Sequence, residues 1–497
     1  MFYKNTSFLN ERNTIFMRRY TSCYTNNVRV LMDLFNFSES KAEAYVRKHK
    51  KLFHKETSQI VDSYHFCKKI GYTNRDILKY SNLLIPPYIQ HVQHFKSLEE
   101  TGCNPIHPKL LSNPKLYMKR PISVFKVLKF LKAEINVADQ FLQYINLPIE
   151  KPKELDKRKN ILDDMLWTDI HKRILDEWLK ARLDASDEDI IKLFRIHKMI
   201  KNKSFRVIEE NIQLAESLGL DSRKILKCGY LLNNYPEYPK TVLRDFPNLA
   251  GLDMRAAMKT NPKLMMINPK NILKIYGLLK EHGISDEHIR KKHQIFTMNV
   301  DTIRCRLLEI KRHPELRSIS DYINILHLIV HQKKINSRLS FMQELKLKCG
   351  SFQIFQNMED KFFEDYIKEG KDVNLKADLI RFLSILFKKD KKEVSKIIYA
   401  HPCCQCVPFI DMEDTYNYLI KKGYTNESIF KAMYILLYPK SKIDEAIKTI
   451  LLDPDADFYD LTQKQVLNLA LYHMEKKHHF TGNGIWATTP PEDIVLE

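Results

Sequence analysis

Lysine recurs at one position of a repeating pattern in this chain, eight residues after a glycine. The lysines of this column are Lys79, Lys227, Lys259, Lys291 and Lys431. One helical turn earlier, three of these units carry an arginine, namely Arg75, Arg223 and Arg255. Cations at regular spacing can neutralise successive phosphates of a nucleic acid, which supplies much of the affinity of such complexes. Glu287 and Glu427 occupy that earlier position in the other two units, and a Glu–Lys pair at this spacing also stabilises an exposed helix. Both interpretations of the lysine column are therefore open.

The glycines that head these units are regularly spaced. Gly219, Gly251 and Gly283 are separated by 32 residues each, and Gly71 and Gly102 by 31. Each glycine follows a helical pattern, and a Ser, Thr or Asp stands two residues after most of them. This order predicts a helix stop and then the cap of a second, shorter helix. The unit headed by Gly102 departs from the pattern, because leucine replaces the column lysine.

Apolar residues keep the same phase within the second helices. Six residues after the glycine stand Ile77, Ile225, Ala257, Ile289 and Ile429. Thirteen residues after it stand Leu84, Leu232, Leu264, Phe296 and Leu436. Seven residues are two helical turns, so these positions share one buried face. A unit with a single apolar face must stack on its neighbours. The sequence therefore predicts an all-α fold, a helical-repeat solenoid with units of about 32 residues.

Proline marks the break between units. Asn113-Pro114-Lys115-Leu116 and Asn261-Pro262-Lys263-Leu264 are identical tetrapeptides. Proline cannot donate to the helical hydrogen-bond ladder, so the step predicts a short 3₁₀ piece before the next long helix. Tyr230 and Gln294 replace this proline in two units.

The charge of the chain points to a polyanionic partner. The net charge is +20, from 81 basic and 61 acidic side chains, and the excess is spread along the chain. The candidate nucleic-acid-binding residues are the lysine column together with Arg223, Arg244, Arg255, Lys263, Lys270 and Arg290. Interleaved aromatics can stack on unpaired bases or belong to the core; these are Tyr230, Tyr235, Phe246, Tyr276 and Phe296.

Motifs of catalysis, of metal binding and of membrane insertion are missing from the sequence. There is no phosphate-binding glycine loop, no dinucleotide fingerprint, no zinc-protease motif and no nucleophile elbow. We therefore predict no catalytic residues, no cofactor and no enzymatic activity. Cys403-Cys404-Gln405-Cys406 follows His401, but a second ligand pair is missing, so small buried thiols are expected rather than a metal site. No apolar run reaches the roughly 18–20 residues of a membrane span.

The N-terminus has the composition of a mitochondrial transit peptide. Residues 1–20 contain four basic side chains and a single acidic one, Glu11, among apolar and hydroxyl residues. Arg18-Arg19-Tyr20-Thr21 resembles a matrix-protease site. A disordered N-terminus is the alternative. The other predicted regions are N-terminal repeats at 28–150, a charged linker and long helix at 151–185 with the helix at 161–183, regular repeats at 186–316, divergent helical repeats at 317–480, and a mobile tail at 481–497.

The phased units, the Leu-Gly-Leu-Asp turn and the Asn-Pro-Lys-Leu step together resemble the mitochondrial transcription termination factor (mTERF) family. The resemblance is clearest over 206–316, and the divergent repeats are similar to those of animal paralogs, including insect ones. It implies a left-handed superhelix of three-helix units with a concave basic face that wraps duplex DNA. Some members flip bases onto aromatic and Arg side chains, but the corresponding residues cannot be placed in this sequence.

The resemblance and the charge together predict a monomeric regulator in the mitochondrial matrix, associated with the nucleoid. We expect it to bind double-stranded mitochondrial DNA and to control the termination or initiation of transcription, with other mitochondrial transcription factors as further partners. Two alternatives are an RNA-binding factor that acts on ribosomal RNA in mitochondrial ribosome biogenesis, and a protein-interaction scaffold.

Overall fold

The computed structural model describes nine segments, namely residues 24–147, 149–155, 162–317, 323–345, 347–348, 353–369, 374–401, 403–452 and 461–476. The predicted transit peptide (1–20) and the predicted mobile tail (481–497) lie outside these residues. The described chain forms two compact units. Unit 1 contains the described residues up to Leu249 together with Asp253–Pro269, and unit 2 contains Ala250–Leu252 and the described residues from Lys270 onward.

Helices form almost all the regular structure of unit 1. Its α-helices are α1 (Glu39–Lys48), α2 (Thr57–Lys69), α3 (Asn74–Lys79), α4 (Tyr88–Glu100), α5 (Pro108–Ser112), α6 (Pro114–Tyr117), α7 (Ile122–Val127), α8 (Val137–Leu142), α9 (Trp167–Leu183), α10 (Asp187–Ile196), α11 (Phe205–Ser217), α12 (Ser222–Lys227), α13 (Glu237–Asp245) and α14 (Met254–Thr260). Residues 24–35 are also helical. The 3₁₀ helices are Lys50–His54, Ser81–Leu83, Lys153–Leu155, Ile200–Asn202, Gly229–Asn233 and Pro262–Met266.

Unit 2 is helical in the same way. Its α-helices are α15 (Pro269–Glu281, which starts at the last residue of unit 1), α16 (Asp286–Lys291), α17 (Val300–Arg312), α18 (Pro314–Arg317), α19 (Ile325–Val330), α20 (Gln332–Glu344), α21 (Gln353–Gln356), α22 (Asp360–Glu369), α23 (Lys376–Phe387), α24 (Lys391–Ile398), α25 (Phe409–Lys421), α26 (Asn426–Lys431), α27 (Lys440–Leu451) and α28 (Gln463–Glu475). Its 3₁₀ helices are His293–Thr297 and Met433–Leu437. The predicted all-α helical-repeat fold is confirmed.

Glycine ends the first helix of the repeat because it accepts a left-handed backbone conformation. The six repeat glycines all have positive φ, for example +79° at Gly219 and +79° at Gly283. In four repeats the side chain two positions later caps the second helix. For example, the Asp221 side chain accepts from the Lys224 N–H of α12, and the Thr425 side chain accepts from the Ser428 N–H of α26. The predicted order of helix, glycine turn and capped short helix is therefore confirmed.

The predicted core positions are buried in the five repeats for which they were predicted. The ten side chains six and thirteen residues after the glycines are no more than 3% exposed. Burial of a Leu, Ile or Phe side chain contributes about 1.5–3 kcal/mol, so this face holds the repeat together. Burial of apolar side chains also explains why a 3₁₀ helix follows the second helix of the repeat. A 3₁₀ helix forms at Pro262, and it also forms at Tyr230 and Gln294, where Leu231 and Ile295 are buried. Proline is therefore not required for the step.

Two elements differ from the sequence expectation. The segment before Gly251 is not helical up to the glycine: α13 ends at Asp245, and the two-residue strands β1 (Asn248–Leu249) and β2 (Leu252–Asp253) form a hairpin. Pro247 breaks the helix, and its carbonyl accepts from Met254 N at 2.8 Å. The turn residues Ala250 and Gly251 both have positive φ, as a tight hairpin requires.

The long helix predicted at 161–183 begins instead at Trp167, as α9. The chain just before it is extended, since Leu166 forms a β-bridge with Pro121 and Trp167 N donates to the Arg120 carbonyl at 3.1 Å. The indole of Trp167 is buried and donates to Thr101 Oγ1 at 2.8 Å. Among the residues that the structure describes, no helix is both long and apolar enough to cross a membrane.

Candidate nucleic-acid interface

Every basic residue that the sequence proposed for the interface is exposed. The eleven are Lys79, Arg223, Lys227, Arg244, Arg255, Lys259, Lys263, Lys270, Arg290, Lys291 and Lys431. On the short helices this follows from the repeat itself: Ile225 and Ile289 face the core, so the cations two residues later must point away from it. These residues fall into groups that differ in whether the charged side chain is already hydrogen-bonded or ion-paired within the protein.

Unit 1 gathers five cations on two neighbouring short helices. Helix α12 exposes Arg223, Lys224 and Lys227, and helix α14 exposes Arg255 and Lys259. The two helices are linked, because Lys224 Nζ donates to the Lys259 carbonyl at 3.4 Å. We call these five residues the α12/α14 cluster. The repeat pattern of the sequence did not single out Lys224, which lies three residues before the column residue Lys227.

The acidic residues nearest in sequence to the α12/α14 cluster are engaged with the backbone. Asp221 Oδ1 accepts from Lys224 N at 2.7 Å, and Asp253 Oδ1 accepts from Arg255 N at 2.9 Å. Within the described part of the chain, Arg223 and Lys227 form no ion pair, and neither does Lys263 in the following 3₁₀ helix. These three side chains therefore carry positive charge that no carboxylate of the described structure offsets.

Arg255 and Lys259 have a second role that the sequence did not indicate. Arg255 Nη1 donates to the Ser217 carbonyl at 3.1 Å, at the last residue of α11. Lys259 Nζ lies against the glycine turn that follows α11. A Cβ atom added at Gly219 would be only 2.8 Å from this Nζ. Cations are favourable at a helix C-terminus, where carbonyl groups lack helical partners and the helix dipole is negative. These two residues thus stabilise the packing of one repeat on the preceding one.

Unit 2 repeats this arrangement at Arg290. Its Nη1 donates to the Ala250 carbonyl at 3.1 Å, and the guanidinium lies against Gly251. The column residue beside it, Lys291, is exposed and forms no ion pair within the described residues, so the Glu–Lys pairing open to it in the sequence is not made.

Two of the proposed cations are held by carboxylates. Arg244 Nε donates to Asp245 Oδ1 at 2.7 Å, and this hydrogen bond lowers the pKa of Asp245. Lys431 Nζ lies 3.4 Å from Glu427 Oε1, and Lys389 lies 3.0 Å from the other oxygen of the same carboxylate. The hydrogen bond from Lys389 is the main cause of the lowered pKa of Glu427. At Lys431 the structure therefore shows the helix-stabilising pair.

The two remaining candidates lie at other helix ends. Lys79 closes α3, and its Nζ lies 5.5 Å from the centre of the Tyr80 ring. Lys270 lies in the first turn of α15.

The aromatic candidates for base stacking are largely covered. Phe296 is fully buried, in agreement with its core phase, so it is not a base contact. The other four are half-buried. The Tyr276 hydroxyl donates to Asp286 Oδ1 at 3.2 Å, and the Tyr235 ring lies 4.8 Å from Lys203 Nζ.

Lys203 is the charged group that sequence reasoning missed. Its Nζ donates to Gln93 Oε1, and it forms no ion pair among the described residues. Burial, and to a smaller extent the charge of Lys115, lower the pKa of Lys203 to about 7. His94 belongs to the same group, since burial, then Lys203, His91 and Lys115, lower its pKa to about 3. No local signal could have found this contact, because Lys203 and Gln93 are 110 residues apart in the chain.

Metal-binding geometry is not present in the part of the chain that the structure describes, since no three His, Cys, Asp or Glu side chains are arranged to hold an ion. The expectation of buried thiols at 403–406 holds for Cys404, which is 5% exposed. It is wrong for Cys406, which is exposed at the end of a turn.

The fold and the cation groups define a class, an all-α helical-repeat protein with a basic surface. The chain is 25% identical over 456 residues to transcription termination factor 5, mitochondrial, of Drosophila melanogaster. The aligned region covers 89% of this chain and 80% of that protein. No family model and no solved structure matches the chain. The phased repeats and this similarity over most of the chain together support the resemblance to the mitochondrial transcription termination factor (mTERF) family.

Proposed function

We propose that this protein is a mitochondrial regulator that binds double-stranded mitochondrial DNA and controls the termination or initiation of transcription. The mTERF family is a non-enzymatic nucleic-acid-binding family, and the Drosophila relative is named as a mitochondrial transcription termination factor. The predicted transit peptide agrees with a place in the mitochondrial matrix.

The observation that carries the proposal is the α12/α14 cluster. Five cations project from two linked helices, and their nearest acidic residues in sequence are turned to the helix caps. Binding of a polyphosphate there would release condensed counterions without first breaking a native ion pair of Arg223 or Lys227. Such contacts set the orientation of the protein on the duplex and its affinity, whereas sequence selection needs contacts to base edges or a deformable site.

The relevant ligand is distinguished by a competition series. Fluorescent duplex DNA of about 30 base pairs is titrated with the full-length protein at salt concentrations between 50 and 200 mM. Duplex RNA and single-stranded DNA of the same length, and polyglutamate of matched charge, serve as competitors. The proposal predicts that duplex DNA binds more tightly than each competitor and that log K falls linearly with log salt.

Two results would contradict the proposal in different ways. A flat salt response, with binding no tighter than to polyglutamate, would exclude the phosphate-binding role of the surface. A strong salt response with preference for RNA would keep that role and move the target to ribosomal RNA, which also presents a phosphate backbone.

A further inference from the structure

A turn of unit 2 brings together cysteines to which the proposed interface gives no role. Cys406 N donates to the Cys403 carbonyl at 3.0 Å, so residues 403–406 close a hydrogen-bonded turn. A β-turn places its first and fourth Cα atoms less than about 7 Å apart, and disulfides span Cα separations of about 4.4–6.8 Å. The backbone therefore sets these two cysteines within the range that a disulfide needs.

The two thiols of the pair differ in access to solvent. They are close enough to interact, since burial and, to a smaller extent, Cys406 raise the pKa of the Cys403 thiol. Cys406 is exposed, Cys403 is half-buried, and the intervening Cys404 is buried. An oxidant from solution can reach Cys406 first, and Cys403 is the thiol in place to react next.

The surrounding structure holds the turn in this form. Gln405 Nε2 donates to the Asn374 carbonyl at 2.7 Å, and Asn374 N donates to the Gln405 carbonyl at 2.8 Å. On the other side of the turn, Cys403 N donates to Nδ1 of the buried His401 at 3.1 Å. The entropy cost of bringing the two thiols together is thus largely met by the fold, which favours ring closure over a stable mixed disulfide.

We propose that Cys403 and Cys406 form a thiol–disulfide modification site, and that the oxidant is a small-molecule disulfide of the glutathione class. The Cys406 thiolate attacks one sulfur of glutathione disulfide, which forms a mixed disulfide and releases one glutathione thiolate. The Cys403 thiolate then attacks the Cys406 sulfur, so the intramolecular S–S bond forms and a second glutathione thiolate leaves. The two protons lost by the cysteines are taken up by the two glutathione thiolates.

The second step is the slower one at neutral pH. Burial, the largest cause, raises the pKa of the Cys403 thiol. Since only the thiolate attacks, ring closure accelerates as pH rises toward this raised pKa. The mixed disulfide on Cys406 should therefore be trapped at lower pH and should disappear at higher pH.

The test uses the folded full-length protein in glutathione buffers of defined ratio, followed by acid quenching, alkylation and mass spectrometry of the peptide that spans residues 403–406. In the wild type, the mass of this peptide is expected to fall by two hydrogens, and the oxidised fraction should follow the glutathione ratio as a two-electron couple. Cys404→Ser is expected to behave in the same way. Cys403→Ser is expected to stop at a glutathione adduct on Cys406. The buried Cys67 and Cys103 serve as internal controls that keep free thiols.

The proposal is overturned by either of two results in the wild type, which need no variant. One is complete alkylation of both cysteines after incubation with excess glutathione disulfide. The other is a glutathione adduct on Cys406 that persists at high pH without ring closure. An oxidised pair that includes Cys404, and that is lost in Cys404→Ser, would equally reject the assignment to Cys403 and Cys406.

Discussion

The most informative perturbation removes three cations of unit 1 that have no ion-pair partner within the described structure. These are Arg223, Lys227 and Lys263, which we would replace together by glutamine. Because no described ion pair is lost and the side chains are exposed, the fold should change in stability by no more than about 0.5 kcal/mol per site. Any larger change in binding then reports on the ligand and not on the scaffold.

The magnitude follows from counterion release. Each phosphate contact contributes about 0.9 to the slope of log K against log salt for duplex DNA, so three lost contacts reduce the slope by about 2.7. When the salt concentration rises fourfold, from 50 to 200 mM, the affinity of the wild type should therefore fall by a factor about 40 times larger than the affinity of the variant does. The loss should be similar for all duplex sequences, because these contacts are to phosphates.

The matched control removes the same charge from lysines of unit 1 that are already paired. Lys151 lies 2.7 Å from Asp139, Lys180 lies 2.9 Å from Glu177, and Lys172 pairs with Asp176. Their triple glutamine variant should retain the wild-type slope in fluorescence anisotropy titrations, with folding of both variants checked by circular dichroism. An unchanged slope in the test variant would remove these three cations from the interface. An equal fall in both variants would assign binding to the overall charge of the protein.

Other predictions concern the scaffold, and urea unfolding measures all of them. Gly283→Ala should destabilise the fold by about 1 kcal/mol, because its φ of +79° disfavours a side chain although the space around it is open. Gly277→Ala, inside α15, should instead stabilise the fold by about 0.5–1 kcal/mol. If Gly283→Ala left the stability unchanged, the helix-stop explanation would be rejected. Burial lowers the pKa of His171 from 6.5 to about 3, so the unfolded chain takes up a proton first and stability is lost as pH falls below about 6.5. This loss is about 2 kcal/mol at pH 5, and His171→Phe should remove it; an identical acid response in the variant would show that His171 is not the cause. Lys203 has its pKa lowered from 10.5 to about 7, so the folded state releases its proton first and stability should rise with pH between about 7 and 10.5. Lys203→Met should abolish that rise and be more stable at pH 7, and a flat wild-type profile over this window would contradict the argument.

The repeat could be predicted from sequence because its determinants are local. Its determinants all act within a single repeat: a glycine after an amphipathic helix, a cap two residues later, and apolar residues two helical turns apart. The burial of Ile225 and Leu232, and the positive φ of Gly219, follow directly from this pattern.

The contacts between repeats could not be predicted in the same way. Arg255 and Ser217 are 38 residues apart, and Arg290 and Ala250 are 40 apart, so these contacts depend on how one repeat stacks on the preceding repeat. The sequence offered two roles for the basic positions, phosphate contact or a Glu–Lys pair. The structure adds a third role, a cation that packs on the helix end or turn of the preceding repeat, as Arg255 and Arg290 do.

The start of α9 shows the same limit. The amphipathic pattern extends upstream of Trp167, but the chain is extended at Leu166, which forms a β-bridge with Pro121, while Trp167 N donates to the Arg120 carbonyl. A non-local pairing thus overrides a local helical signal.

The central claim is tested most directly by crosslinking in isolated mitochondria, with recovery of the tagged protein and nucleotide-resolution mapping of the bound nucleic acid. The proposed function predicts crosslinks to double-stranded mitochondrial DNA, reduced in the Arg223, Lys227 and Lys263 variant and retained in the Lys151, Lys172 and Lys180 control. Crosslinks to ribosomal RNA in place of DNA, or recovery of no nucleic acid at all, would contradict it.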